Sequence, residues 1–244
     1  KKYLLLLTAT PIQNDLEELY NILTLLKPGL LETYSTFRHR FMLYRRSAKD
    51  VERLREYVSE VMVRTTRSEC GIPFPKRVVR AVPVQLSPAE RTFYDDVLVF
   101  ARQLYAQHGH VNVLPLILLL RELCSSPQAA RHTLHALSRA PELSPPQRAV
   151  AALLADRASE MARSPSKLQT AIALIQRYNE PAIVFTEFRA SQDALYEALR
   201  AEGIAATRFH GGMSDEERRI ALDEFRTKGG VLISTEAGGE GQNL

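Results

Sequence analysis

Hydroxyl and small polar residues follow three short apolar runs in this 244-residue chain. Thr8 and Thr10, with Gln13 close behind, come after residues 3–7. Thr186, Glu187 and Phe188 come after residues 182–185. Thr235 comes after residues 231–234 and is followed by Gly238, Gly239 and Gly241. A hydroxyl at a strand end can donate to a phosphate oxygen. Glycine lets backbone N–H groups approach a phosphate or sugar, because no Cβ stands in the way. Gly211, in the run His210-Gly211-Gly212, offers the same close approach after a fourth run. An ordinary strand-to-helix turn with threonine caps would contain the same residues, and a lone glycine triplet does not separate the two readings. His210 reads as a packed or capping histidine. Glu17-Glu18 and Glu216-Glu217 are not paired catalytic acids, since neighbours on a helix point about 100° apart. They suit the first turns of helices.

Charge is unevenly distributed. The chain carries a net +4, and residues 38–67 hold nine Arg/Lys, Arg45 and Arg46 among them, against four acidic residues. The rest of the chain is therefore close to neutral. Such a cluster suits a surface facing a polyanion, or a solvated helical face with local ion pairs. Arg218 and Arg219 carry the same two readings. The two cysteines, Cys70 and Cys124, lack metal-ligand spacing, so no metal site is expected and free thiols in a cytosolic protein are. The longest apolar run, 113–120, contains Pro115 and falls short of the roughly 20 residues of a membrane span. Leu116 to Leu120 read as core.

The patterning predicts the elements that must hold these residues. Residues 3–7 read as a buried parallel strand. Asp15 caps a helix running to about Leu26, ended by Pro28-Gly29. Helices are expected over 34–46 and 50–64, carrying the basic cluster. Two prolines in 70–75 mark a linker, which predicts a domain over 1–75 and a second over 76–244. Residues 77–86 alternate as a strand. Helices follow over 89–107, 113–124, 147–162 and 166–178, with a loop and one short helix in 125–146. From 182 onward strand and helix alternate: strands at 182–185, 205–209 and 231–234, helices at 190–201 and 214–227. That spacing predicts an α/β fold with a parallel sheet and crossover helices, whose ligands bind beyond the strands' carboxyl ends.

The ordered blocks carry a resemblance. "LLLTATPIQNDLEELYNIL" resembles helicase motif III of SWI/SNF-type ATPases, within superfamily 2 helicase-like proteins. "VMVRTTRSECGIPFPKR" and "VQLSPAERTFYDDV" resemble the family's link between two RecA-like lobes and the segment after it. "AIVFTEF" resembles motif IV, "FHGGMSDEERRIALDEF" the strand-loop-helix after it, and "VLISTEAGGEGQNL" motif V. The blocks stand in family order from end to end of the chain.

The resemblance implies a truncated P-loop NTPase-type helicase core: the end of one RecA-like lobe with helical additions, then most of a second. It implies ATP with Mg²⁺, and double-stranded DNA as the track of a translocase. Thr8, Thr10 and Gln13 would couple the lobes to the nucleotide state. Gly241 and Asn243 would face the nucleotide. Thr186, Gly211, Thr235, Gly238 and Gly239 would contact nucleic acid, with Arg45 and Arg46 from the basic cluster. The Gly-x-x-x-x-Gly-Lys-Ser/Thr loop and the Mg-binding acids are absent and would precede Lys1. The arginine finger would follow Leu244. The chain, which opens without Met, therefore reads as a piece of a longer protein, inactive by itself. Thr-Ala-Thr in place of Thr-Gly-Thr resembles bacterial members, including those associated with RNA polymerase. A cytoplasmic, nucleoid-associated protein is the corresponding expectation. RNA polymerase or another DNA-bound protein then stands as a candidate partner. A non-catalytic nucleic-acid-binding module and a DEAD-box-like RNA helicase are the alternatives. The long helical stretch over 87–180 speaks against the latter.

Overall fold

The computed structural model describes residues 3–8, 10–12, 14–44, 47–65, 69, 71, 76–108, 113–162 and 165–236. The chain divides into two compact units, Lys1–Val79 and Arg80–Leu244.

In the first unit, α1 (Leu16–Leu26) starts at Asp15, whose carboxylate accepts from the Glu17 N–H at 3.1 Å. Helices α2 (Tyr34–Phe41) and α3 (Val51–Ser59) flank a short antiparallel hairpin, β1 (Met42–Tyr44) and β2 (Ser47–Ala48). Leu16, Leu19, Leu23, Phe37, Phe41 and Leu54 close the core. Glu17 accepts from the Tyr34 hydroxyl at 3.0 Å, and the Glu18 carboxylate accepts from the Asn14 N–H.

Three expectations fail here. Residues 3–7 form no strand, and their side chains are 37–91% exposed. A strand exists through hydrogen bonds to a neighbour, and no strand among the described residues lies beside this one. The helix expected over 34–46 stops at Phe41, where Met42 turns to extended backbone and Tyr44 is left exposed. The chain doubles back instead, and the Lys49 N–H reaches the Phe41 carbonyl at 2.8 Å. Helix α3 likewise ends at Ser59, short of 64.

The segment expected as a strand over 77–86, which crosses the division between the two units, forms neither strand nor helix. Val78 and Val79, which an alternating strand would put on opposite faces, are both exposed. Then come α4 (Pro88–His108), α5 (Val113–Ser125), α6 (Pro127–Leu137) and α7 (Pro145–Met161). They share one core around Phe93, Val97, Leu119, Leu134, Ala151 and Ala158. Serine caps begin three of these helices: Ser87 before Pro88, in reciprocal bonds with Glu90, Ser126 before Pro127, and Ser144 in a capping box with Gln147 before Pro145. Proline tolerates the first turn because its missing N–H would be unpaired there anyway.

The sheet is parallel and three-stranded, in the order β3 (Ala182–Phe185), β5 (Val231–Ser234), β4 (Ala206–Phe209). Helix α8 (Ser166–Tyr178) precedes β3, α9 (Arg189–Ala201) links β3 to β4, and α10 (Asp215–Lys228) links β4 to β5. The first connection passes over β5 and the second runs back. Two right-handed crossovers in opposite directions place their helices on opposite faces. Leu195 and Leu199 of α9 pack on Val231 and Ile233, with Ile172 and Ile175 of α8 beside them. Leu232 alternates to the other face and is also buried, so β5 is covered along its whole length. The α/β class with a parallel sheet, crossover helices and added helices therefore holds in the second unit. The first unit, expected to contribute a second parallel sheet, shows among its described residues only helices and the hairpin.

Candidate nucleotide and nucleic-acid interface

Phe185, Ser234 and Phe209 are aligned across the sheet, so the loops leaving the three strands emerge at one edge. Pairing continues one residue further: the Thr186 N–H donates to the Ser234 carbonyl and the Thr235 N–H to the Phe209 carbonyl, both at 3.0 Å. Thr186, Gly211 and Thr235 are thereby gathered at the carboxyl ends of three adjacent strands. Thr186 is half-buried and Gly211 exposed, whereas Thr235 is only 8% exposed. Such an edge presents hydroxyls and backbone groups where open α/β sheets bind ligands.

A side chain absent from the sequence expectations fixes this edge. Gln192 of α9 is fully buried, and its Nε2 donates to the Phe209 carbonyl at 3.0 Å and the Ile233 carbonyl at 2.7 Å. It therefore ties β4 to β5 from below. The signal was available: Gln192 stands three and seven residues before Leu195 and Leu199, on the apolar stripe of the helix. A polar residue in such a stripe must find partners.

The turn after β4 is held from both sides. Arg218 of α10 donates from Nη2 to the Gly211 carbonyl at 2.8 Å, so it supports the turn. Arg219 pairs with Glu216 at 2.6 Å and Asp223 at 3.3 Å on the solvated face of α10. Ser214 and Glu217 form a capping box at the start of that helix. Hydrogen bonds from Ser214 hold the Glu217 carboxyl below the usual range. Burial, then the nearby Arg189 and Arg208 cations, lower the His210 pKa from its ordinary value. The His210 Nδ1 is buried without a partner. His210 is thus a packed side chain that favours its neutral form more than a free imidazole does. Arg208 itself pairs with Asp193 at 2.6 Å and lies 4.4 Å from the Tyr196 ring centroid.

Thr8 and Thr10 belong to the first unit. Both are exposed, and the Thr8 hydroxyl accepts from the Thr10 N–H at 3.2 Å. Gln13, Arg45, Arg46, Gly238, Gly239, Gly241 and Asn243 lie outside the described residues. Of the remaining basic cluster, Arg40 pairs with Glu32 at 3.2 Å and the Lys49 ammonium donates to the His39 carbonyl at 3.0 Å, so part of it forms local contacts. Among the described residues no three His, Cys, Asp or Glu side chains are grouped to hold a metal ion. No described helix is long and apolar enough to cross a membrane.

Comparison with known proteins matches residues 1–129 to the SNF2-related domain and residues 166–244 to the helicase conserved C-terminal domain. A Bacillus subtilis (strain 168) relative, named an uncharacterized ATP-dependent helicase, YqhH, is 37% identical over 246 residues, covering 100% of this chain and 43% of its own. The chromodomain-helicase-DNA-binding protein 1-like of Danio rerio is 27% identical over 247 residues, covering 98% of this chain and 22% of its own. The chain thus spans less than half the length of these relatives. Among solved structures, the Sulfolobus solfataricus SWI2/SNF2 ATPase core in complex with dsDNA aligns with a TM-score of 0.45 at 18% identity, covering 93% of this chain and 47% of that one.

Proposed function

Because this chain belongs to the SNF2-related family, whose model spans residues 1–129, we propose that it is part of an ATP-dependent motor that moves along double-stranded DNA. The family match carries the reading. The strand-end geometry supports it, since Thr186, Gly211 and Thr235 converge at one sheet edge. ATP with Mg²⁺ would be the fuel. Hydrolysis in such motors rests on positioning and on charge stabilisation of the transferred phosphoryl group. The chain lacks a Gly-x-x-x-x-Gly-Lys-Ser/Thr loop, so residues 1–244 by themselves should turn over no ATP.

The test uses the full-length parent. Its ATP turnover is measured alone and with saturating duplex DNA, single-stranded DNA or duplex RNA. Stimulation by duplex DNA above the other polymers is the expected result. Turnover unchanged by any polymer would overturn the motor reading, and preferential stimulation by RNA would replace DNA as the track.

A further inference from the structure

Between the helices α4 and α5 and the layer formed by α8, β3 and α9 lies a cavity of about 430 Å³. That volume falls within the roughly 300–1,000 Å³ typical of small-molecule sites. Phe93, Leu123, Leu168 and Leu195 supply apolar walls. Polar contacts bridge the two layers around them. The Glu90 carboxylate, on α4, accepts from the Ser166 N–H and hydroxyl on α8, and from the Ser87 N–H. Burial disfavours ionisation of Glu90, but these bonds outweigh it and hold the carboxyl below its usual range. Arg121 of α5 pairs with Glu187 at 2.6 Å, just past β3. Ser191 of α9 shares hydrogen bonds with Ser125 and Ser126 at 2.8 and 2.6 Å.

The charges around the rim differ in how they are balanced. Glu90 is satisfied by serine and backbone donors, and Arg121 by Glu187. Lys167 instead donates to a neutral acceptor, the Cys124 carbonyl, at 2.9 Å. Among the described residues it forms no ion pair with a carboxylate. The cavity therefore combines an apolar interior with one cation at its mouth whose charge is not locally neutralised.

We propose that this cavity binds a small aromatic monoanion: a flat apolar ring system between the helices and the sheet layer, with its carboxylate or sulfonate directed at Lys167. The site is separate from the strand-end contacts proposed for nucleic acid, apart from Thr186, which lines both. Its test needs neither DNA nor ATP, so it stands or falls independently of the motor reading.

The probe is 2-naphthoate, compared with the neutral 2-naphthamide, titrated into the full chain while amide resonances are followed by NMR. Saturable shifts at Cys124, Thr186 and Ser191 are expected. The acid should bind about two- to fivefold more tightly than the amide, the range of an exposed ion pair. Lys167→Met should erase that difference while leaving amide binding unchanged. Ala194→Leu, which adds bulk at a half-buried lining position without emptying the core, should weaken both probes; thermal unfolding of each variant checks that it is folded. Equal binding of acid and amide by the parent chain, shifts confined to other surfaces, or a Lys167→Met variant that still prefers the acid would each overturn the proposal.

Discussion

Gln192 shares its stripe of α9 with Leu195 and Leu199, and its amide reaches two main-chain carbonyls on different strands. Leucine at this position would keep the volume and remove both donors. Net hydrogen bonds contribute about 0.5–1.5 kcal/mol each, and two are lost, although the Phe209 carbonyl keeps its bond from the Thr235 N–H. Gln192→Leu should therefore lower stability by about 1–3 kcal/mol in urea denaturation of the chain. A loss under about 0.5 kcal/mol, the usual surface value, would show that the strand ladder satisfies both carbonyls alone. His210 makes a second residue-scale prediction. Its folded pKa lies below the ordinary value, chiefly through burial. The unfolded chain then takes up the proton more readily, so this group's stabilisation is present above the unfolded pKa of about 6.5 and is lost as pH falls through the folded pKa. Urea midpoints measured from pH 8 to 5 should fall less steeply for His210→Gln than for the parent. Parallel slopes would refute the assignment. Of these two residues, His210 reads in the sequence as packed or capping, while the stripe position of Gln192 signals only that its amide needs partners. The bridge made by Gln192 needed the third dimension, because its partners are backbone atoms 17 and 41 residues away.

Caps and strand pairing divide the elements into those visible in sequence and those not. Helices α6, α7 and α10 carry local start signals, Ser126-Pro127, Ser144-Pro145 with Gln147, and Ser214 with Glu217, although the first two fall in the stretch 125–146, expected as a loop with one short helix. Each satisfies orphan N–H groups within four residues. Residues 3–7 and 77–86 carry strand-like patterns yet form no strand, because pairing depends on a neighbour that pattern alone cannot reveal. The hairpin at 42–48 interrupts a helical pattern for the converse reason, its register being set by main-chain bonds such as that between Lys49 and Phe41. The start of β5 tests element geometry most sharply. Gly230 has a φ of +86°, and a Cβ built there would lie 2.5 Å from the Ala205 carbonyl oxygen. The same backbone joins both neighbours, since the Gly230 carbonyl accepts from Ala182 N–H and the Val231 N–H donates to the Ala205 carbonyl, each at 2.9 Å. A side chain must push the strands apart or force the backbone out of a conformation that L residues resist. Gly230→Ala should destabilise the chain by at least about 1–3 kcal/mol, read as a lower urea midpoint. Gly203, also at positive φ but with open space around it, provides the control. Gly203→Ala should cost less, since only the backbone preference opposes it. Equal losses at the two sites would mean that contact with Ala205 contributes nothing.

At the scale of the whole molecule, the question the proposed function raises is whether the strand-end residues would contact DNA and report it to a nucleotide site, or merely hold the sheet together. Thr235 is the residue to ask, because it comes directly after the central strand, β5, and its backbone is already committed to Phe209. Its N–H bond is kept in Thr235→Ala, so the edge should stay paired while the hydroxyl is lost. A hydrogen bond from a hydroxyl to a charged phosphate contributes roughly 1.5–3 kcal/mol. In the structure the residue is 8% exposed, so a DNA phosphate reaches the hydroxyl only if the surrounding chain shifts on engagement. A contact formed only in the DNA-engaged state favours that state and leaves the free enzyme unaffected. In the full-length parent, Thr235→Ala should therefore spare basal ATP turnover and reduce its stimulation by duplex DNA. The measurement is the ratio of stimulated to basal turnover at saturating ATP and DNA, with Thr235→Ser, which retains the hydroxyl, expected to restore most of it. If the alanine variant loses basal and stimulated turnover in the same proportion, Thr235 supports the fold or the chemistry. If the serine variant fails to restore the ratio, the methyl group's packing is what matters, and the phosphate contact assigned to this residue is wrong.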